Sequence, residues 1–565
     1  MPKKVYDAIV VGTGAGGGTA MKLLCEAGLS VVALNSGPRI IPARDFQNHR
    51  RRFELKFRGF GDPRIREKYP APWNEMQEHA GEYIEGPKFF EHEIAYTNAP
   101  GSNWIWTRCK ATGGKANFWG RSSCRFGDID FKAASLDGFD VDWPVDYAEM
   151  APYFSRAEKY MGVASTVQNR SSNPDGEYLP PLPFRCFNYI LQKGAEKIGV
   201  PYLPDRCAQL TVRHNGHPPC HYCGNCGAGC DTGSFFSPTW FTIPDAEKTG
   251  KLELRTDALA KNVLVDESGQ AKGVAYVDRS TKQEVEVYAK VVVLAASCLE
   301  TAHIMLNSKS RHWPTGIANA SGQLGRNLCD HLYGTPATAY LRQLLGQPPR
   351  PDNISEATIA WMPRWQNLTN PKEEQFIRGY SVYSDGGTGG IGHTGSFEGF
   401  GKELKRTIKR YYPAGVDFTI QAPSLPSPAN YIDLDPDVKD VFGIPVLRFH
   451  FQWGQNELLM WEHAKKTVLE LLKTVDADIS AVGSEPDPPG TSLHETGPCR
   501  FGNDPKKFVT NRWAQCHDVG NLYICDASIF PSPTDKTTTM PIVAFAMRTC
   551  DYILEKFRRG DHKGA

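Results

Sequence analysis

The chain has 565 residues, 15 cysteines and 64 Lys+Arg against 63 Asp+Glu, for a formal net charge of +1. A hydrophobic content of 40% excludes a disordered chain, and the balanced charge excludes a broad nucleic-acid surface, which needs a basic excess. The odd cysteine count excludes complete internal disulfide pairing, and the length allows about three lobes of core, or two larger ones with insertions.

The first residues run directly into an apolar strand, with no charged leader and no twin-arginine signal. No stretch of about 18 apolar residues is present that could span a membrane. A reducing, cytoplasmic setting is the expectation from these features, so the cysteines need not be disulfides. The sequons at Asn169, Asn319, Asn353 and Asn367 carry little weight in that setting.

Ala8-Ile-Val-Val11 reads as a buried parallel strand. Gly12-Thr-Gly14-Ala-Gly-Gly17 follows at once, then a helix that ends at Gly28, then a second strand, Val31–Leu34. Gly12, Gly14 and Gly17 fill the G-x-G-x-x-G pattern. The first allows the tight turn, the second lets a pyrophosphate approach the backbone, and the third lets helix and strand pack closely. The strand–helix–strand setting therefore predicts a dinucleotide site, with the phosphates on the helix N-terminus. An acidic residue is expected at the end of the second strand to bind the ribose. Asn35 stands there, whose carbonyl can accept a bond without charge.

Cys220-His-Tyr-Cys223-Gly-Asn-Cys226-Gly-Ala-Gly-Cys230 has the spacing C-x2-C-x2-C-x3-C. That is the spacing of ferredoxin-type iron–sulfur ligands, and it predicts a cluster here; Cys220, Cys226 and Cys230 alone suffice for a three-iron form. A structural zinc site and four inert buried thiols are the competing readings.

Several further segments carry a resemblance. Asn521-Leu-Tyr-Ile-Cys-Asp526-Ala527-Ser528 resembles the closing flavin-binding segment of the glucose–methanol–choline (GMC) oxidoreductases. Arg108-Cys-Lys-Ala-Thr-Gly113-Gly114-Lys-Ala-Asn117-Phe118-Trp119-Gly120 resembles that family's loop over the flavin. Asp142-Trp143-Pro144, Leu324-Gly-Arg-Asn-Leu328 with Asp330-His331, and Ile432-Asp-Leu-Asp-Pro436 also match, so the resemblance spans nearly the whole chain. It implies an α/β fold: a Rossmann-like FAD-binding domain interleaved with an antiparallel-sheet substrate domain. It also implies that Gly113, Gly114, Asn117, Asp526 and Ala527 join Gly12, Gly14, Gly17 and Asn35 around FAD.

The same resemblance makes His494 the base that takes the substrate's hydroxyl proton, a role suited to an imidazole. The family's second catalytic residue is an Asn or His near the C-terminus, and Thr537 occupies that position. Its hydroxyl can position a substrate oxygen but is no base. Relatives that tether flavin covalently use a His where this chain has Phe118, so noncovalent FAD is expected.

With the cysteine run, the chain resembles the catalytic subunits of bacterial sugar dehydrogenases, and most closely the glucoside 3-dehydrogenases. The expected substrate is a sugar or glycoside, oxidised at a secondary hydroxyl, C3 in that subgroup. Electrons would pass from FAD through a 3Fe-4S or 4Fe-4S cluster to a cytochrome c or another acceptor, and a small accessory subunit is implied. Such a subunit can carry the export signal, which would place the chain in the periplasm. The alternatives are a GMC oxidase whose cysteines are structural, and a non-catalytic, zinc-stabilised flavin-binding subunit.

The expected organisation is an FAD-binding domain over 1–335, with a lid at 46–84 and the iron–sulfur insert at about 205–240. A substrate domain at 336–489 and a return to the FAD domain at 490–565 follow. Thr358–Trp361, Phe418–Gln421 and Val446–Phe451 read as strands of the substrate sheet, and Leu458–Val475 as an amphipathic helix. The glycine-rich stretch 385–392 reads as a loop. Trp104, Trp106 and Trp119 are candidates to stack on a sugar face.

Overall fold

The structure is a computed structural model that describes residues 4–46, 96–224, 226–348, 360–371, 374–386 and 397–562. The expected lid at 46–84, apart from Phe46, lies outside these residues, as do most of the 385–392 loop and Asn353.

The N-terminal unit forms as its apolar pattern dictates: β1 (Val5–Val11), α1 (Ala15–Glu26) and β2 (Val31–Leu34). β1 and β2 pair in parallel, Ala8 opposite Val31. Gly12 turns the chain with φ +97°, and a Cβ on Gly17 would meet the Gly12 carbonyl at 2.0 Å. Only glycine at 17 lets the helix sit that close to the strand end.

β1 sits beside Glu284–Leu294, again in parallel, near the middle of a seven-stranded sheet. Leu252–Arg255 extends this sheet beyond β2, and Leu522–Ile524 pairs in parallel with Glu284–Leu294. The strands Ala258–Val265 and Ala271–Asp278 complete it as an antiparallel edge. Helix Thr539–Arg559 covers one face and packs on α1. The apolar runs Ala8–Val11 of β1 and Val291–Leu294 are fully buried, as central parallel strands require.

A second seven-stranded sheet is built mainly from Ala337–Leu341, Ser381–Gly386, Gly415–Pro423 and Ala477–Val482, all antiparallel. Ala360–Met362 and His331–Gly334 also join it, as does Leu203–Pro204 from the N-terminal half. Helices Cys186–Lys197 and Gln455–Thr474 cover it and share its apolar core. The expected strand at 446–451 is present as Pro445–His450 but joins a different sheet. It pairs with Tyr431–Lys439 and Thr97–Asn98 in a three-stranded unit. Alternation alone predicts a strand and leaves its partner open, and tertiary packing made that choice.

Candidate active site

A cavity of about 580 Å³ opens between the two large sheets. One wall is the glycine turn and the first residues of α1, with Gly12, Gly14 and Asn35. The loop Trp106–Ser122, the segment Ala295–Cys298, and Asp526 and Ala527 continue that wall. Tyr333, Tyr383, Thr419 and Gln421 of the antiparallel sheet form the opposite side, and His494 and Thr537 line the same space.

The nucleotide wall is braced before any ligand arrives. Thr13 Oγ1 donates to Asn35 Oδ1 at 2.8 Å, and the Asn35 amide donates to the Gly37 and Lys110 carbonyls at 3.0 and 2.8 Å. The Asn35 oxygen thus keeps one lone pair for a ribose hydroxyl. Asp526 accepts from the Ser528 backbone at 3.0 Å, from Ser528 Oγ at 2.6 Å and from Thr301 Oγ1 at 2.5 Å. Gly113 has φ +84°, and Gly114 lines the cavity beside it. Asn117 does not line it: its fully buried amide donates to the Thr112 and Gly114 carbonyls and holds the loop's shape. Gly17 likewise lies behind the wall, at the helix–strand contact.

Ser297 sits in a backbone conformation that favours glycine, φ +85° and ψ 152°, at the start of helix Cys298–Asn307 and on the cavity wall. Strain of that kind costs on the order of 1–3 kcal/mol and gathers at ligand sites. Trp106, Phe118 and Trp119 line the cavity, whereas Trp104 is buried and stacked on Phe449 at 5.3 Å.

His494 is held by its backbone and by its ring. Asp330, fully buried, accepts from the Gly490 N–H at 2.8 Å, from Ser492 Oγ, and from the His494 N–H at 3.2 Å. Leu493 takes a left-handed φ of +62° to place the next residue. His494 Nδ1 meets His331 Nδ1 at 2.9 Å, and His331 Nε2 meets the Thr534 carbonyl at 2.6 Å.

Those partners set the protons. A carbonyl only accepts, so His331 Nε2 carries hydrogen. Burial holds His331 down at about 4, so the ring is neutral at pH 7 and its Nδ1 is bare. His494 Nδ1 must then donate, which leaves His494 Nε2 as a free lone pair. Burial, then His331, then Lys115 hold His494 well below the ordinary histidine range. Lys115 lines the cavity next to it and pairs with Glu495 at 3.1 Å.

Thr537 Oγ1 donates to the Ser122 carbonyl at 2.8 Å, so toward the cavity its oxygen can only accept. Its segment rests on a buried cation. Lys536 Nζ reaches both Asp130 oxygens at 3.0 Å and Asp535 Oδ1 at 2.7 Å, and none of the three side chains is more than marginally exposed. The Asp535 carbonyl accepts from Ser381 Oγ at 2.7 Å and from Gln421 Nε2 at 3.3 Å, which ties the segment to the antiparallel sheet.

His331, Asp330, Lys115 and Lys536 carry no role that sequence reasoning alone assigns. The only signal for the first two was the Asp-His pair after Leu324–Leu328.

Among the described residues no group of three or more Cys, His, Asp or Glu side chains is placed to hold a metal ion, so the expected ligand set of Cys220, Cys223, Cys226 and Cys230 is not shown. Cys220 Sγ accepts from Gln209 Nε2 at 2.8 Å and from the Tyr222 N–H at 3.3 Å, and it lies near Cys230. Cys226 begins a short turn, Cys226–Ala228, and lies near Cys207. Burial raises the Cys220 thiol and pushes that of Cys207 up to about 12, which favours neutral thiols. None of the fifteen cysteines is joined in a disulfide.

The glycine-turn sheet, the facing antiparallel sheet and the neutral histidine thus share one cavity. Residues 6–333 and 426–546 match the GMC oxidoreductase family, and the chain belongs to it. Members of that family bind FAD and act on alcohol and sugar hydroxyls. The chain is 27% identical to 2-methyl-1,2-propanediol dehydrogenase of Mycolicibacterium austroafricanum, over 98% of this chain and 95% of that one. It is 25% identical to the fructose dehydrogenase large subunit of Gluconobacter japonicus, over 98% of each. Pyridoxine 4-oxidase from Mesorbium loti has the same fold, with a TM-score of 0.61 at 15% identity, covering 97% of this chain and 99% of that one.

Proposed function

We propose that this chain is an FAD-dependent dehydrogenase that oxidises a secondary hydroxyl of a sugar or glycoside. The His331–His494 contact carries the reading, because it leaves a bare imidazole nitrogen on a residue that lines the cavity. FAD bound against the glycine wall supplies the two-electron acceptor for hydride from the carbinol carbon. His494 Nε2 takes the hydroxyl proton, and Thr537 Oγ accepts from a neighbouring substrate hydroxyl. Tyr333, Tyr383, Thr419 and Gln421 offer the donors and acceptors that a polyhydroxylated ring needs. Phe118 gives the flavin no nucleophile, which supports noncovalent binding. A relative described as a large subunit supports a partner subunit here.

The test is anaerobic bleaching of the flavin by a panel of sugars, glycosides and simple diols, followed by turnover with a dye and with oxygen. Bleaching by sugars that is lost in His494→Asn, with dye turnover far above peroxide formation, supports the proposal. Fast peroxide formation would make the chain an oxidase, and bleaching that survives His494→Asn removes the base assignment.

The cysteine spacing supports an iron–sulfur outlet, whereas the arrangement of the thiols favours a structural role for that segment. Iron and labile-sulfide analysis of anaerobically purified protein separates the two. Cluster stoichiometry with a matching EPR signal supports the outlet, and metal-free protein with full dye turnover removes it.

A further inference from the structure

Helix Gly401–Tyr411 has two faces of opposite character. Leu404, Thr407, Ile408 and Tyr411 recur at three- and four-residue spacing and are half-buried. Tyr411 packs edge-on against Tyr340, ring centres 4.9 Å apart, and the Arg410 carbonyl accepts from the Gly346 N–H at 2.7 Å. These contacts fix the helix on the rim of the antiparallel sheet.

Lys402, Lys405, Arg406, Lys409 and Arg410 occupy the other face, and all are exposed. Glu403 is the helix's one acidic residue, and it pairs with Arg406 at 2.7 Å. A chain of net charge +1 thus concentrates five cations here and is net acidic elsewhere. Solvated helix faces usually mix signs, because like charges four residues apart repel. Here Lys402 and Arg406, Lys405 and Lys409, and Arg406 and Arg410 are all such pairs. Phe400, which immediately precedes the helix, is 89% exposed, the highest value among the exposed large hydrophobic residues described. A protein partner would need an apolar centre on this face, and Phe400 is the one exposed apolar side chain among residues 397–411. A bilayer surface needs only the charge and a ring to insert.

We propose that this helix is a docking surface for an anionic lipid membrane. Its basic side chains would meet lipid phosphates, and Phe400 would enter the headgroup layer. No described helix is long and apolar enough to cross a membrane, so the contact would be peripheral and reversible.

Full-length flavoprotein is sedimented with phosphatidylserine-containing vesicles and with pure phosphatidylcholine vesicles. Binding to the first only, weakening at least ~10-fold at high salt, is expected. Lys405→Glu/Lys409→Glu should cut it a further ~10-fold, and Phe400→Ser should cut it several-fold. Flavin content and substrate-dependent bleaching of these variants should match the wild type, which shows that they are folded. Lys402→Gln/Arg406→Gln tests the same face by charge removal. No sedimentation with either vesicle, undiminished binding of the charge-reversed variant, or retention only by an acidic protein overturns the proposal.

Discussion

His331 Nδ1 lies 2.9 Å from His494 Nδ1, and the other nitrogen of His331 is committed to the Thr534 carbonyl. The pair makes a backbone carbonyl the origin of the free lone pair on His494. His331→Phe removes that control, because His494 can then place its proton on either nitrogen. A fall in kcat of roughly 10²–10⁴-fold is expected, with KM little changed. His331→Phe/His494→Asn should be no worse than His494→Asn alone, since the two act as one unit. Steady-state kinetics of the three variants check this, and additive losses would separate the residues.

Lys115 is one of the causes that lower the pKa of His494. A neighbouring cation opposes protonation, so its removal raises that pKa. Lys115→Gln should therefore move the acid limb of the kcat/KM profile to higher pH. Lys115→Gln/Glu495→Gln, which also removes the carboxylate left behind, should move it less. An unchanged acid limb in both would mean that another group governs it.

Burial, with Glu495 nearby, pushes the Asp330 carboxyl up to about 7. An unfolded Asp titrates near 4, so between about pH 4 and 7 the folded state holds a proton that the unfolded state lacks. Its contribution to stability is complete below about pH 4 and is lost as pH rises through 7. Urea midpoints of wild type and Asp330→Asn, compared from about pH 5 to 8, should show the extra decline only in the wild type.

Lys536 is the buried counter-charge of Asp130 and Asp535. Lys536→Met leaves both carboxylates unpaired and should cost about 3–5 kcal/mol by chemical denaturation. Lys536→Met/Asp130→Asn/Asp535→Asn should recover most of that, because the penalty is uncompensated charge rather than lost packing. The triple variant's kcat reports how far the cluster also aligns Thr534 and Thr537.

The nucleotide wall was legible because its signals are local. A strand, a glycine turn and a helix within the first 34 residues specify their own geometry, and Gly12 and Gly17 meet for steric reasons present in the spacing itself. The antiparallel sheet was legible in kind, from Phe418–Gln421, but the partner of 446–451 was not, because alternation carries no register. His494 and Thr537 were placed by motif, and the chemistry between them was hidden.

By itself the sequence specified the strand–glycine turn–helix unit through short-range pattern, while His494 was expected from the family resemblance. The tertiary structure decided which groups meet. His331 reaches His494 across 163 residues and Thr534 across 203, and no spacing rule spans such distances. The cysteines show the converse. Their spacing suits a cluster, and the spacing by itself says nothing of the Gln209 amide that donates to Cys220 or of Cys207 near Cys226. Spacing sets which side chains are near along the chain. Convergence on one point depends on burial and on hydrogen bonds from distant segments, and only the folded chain supplies those.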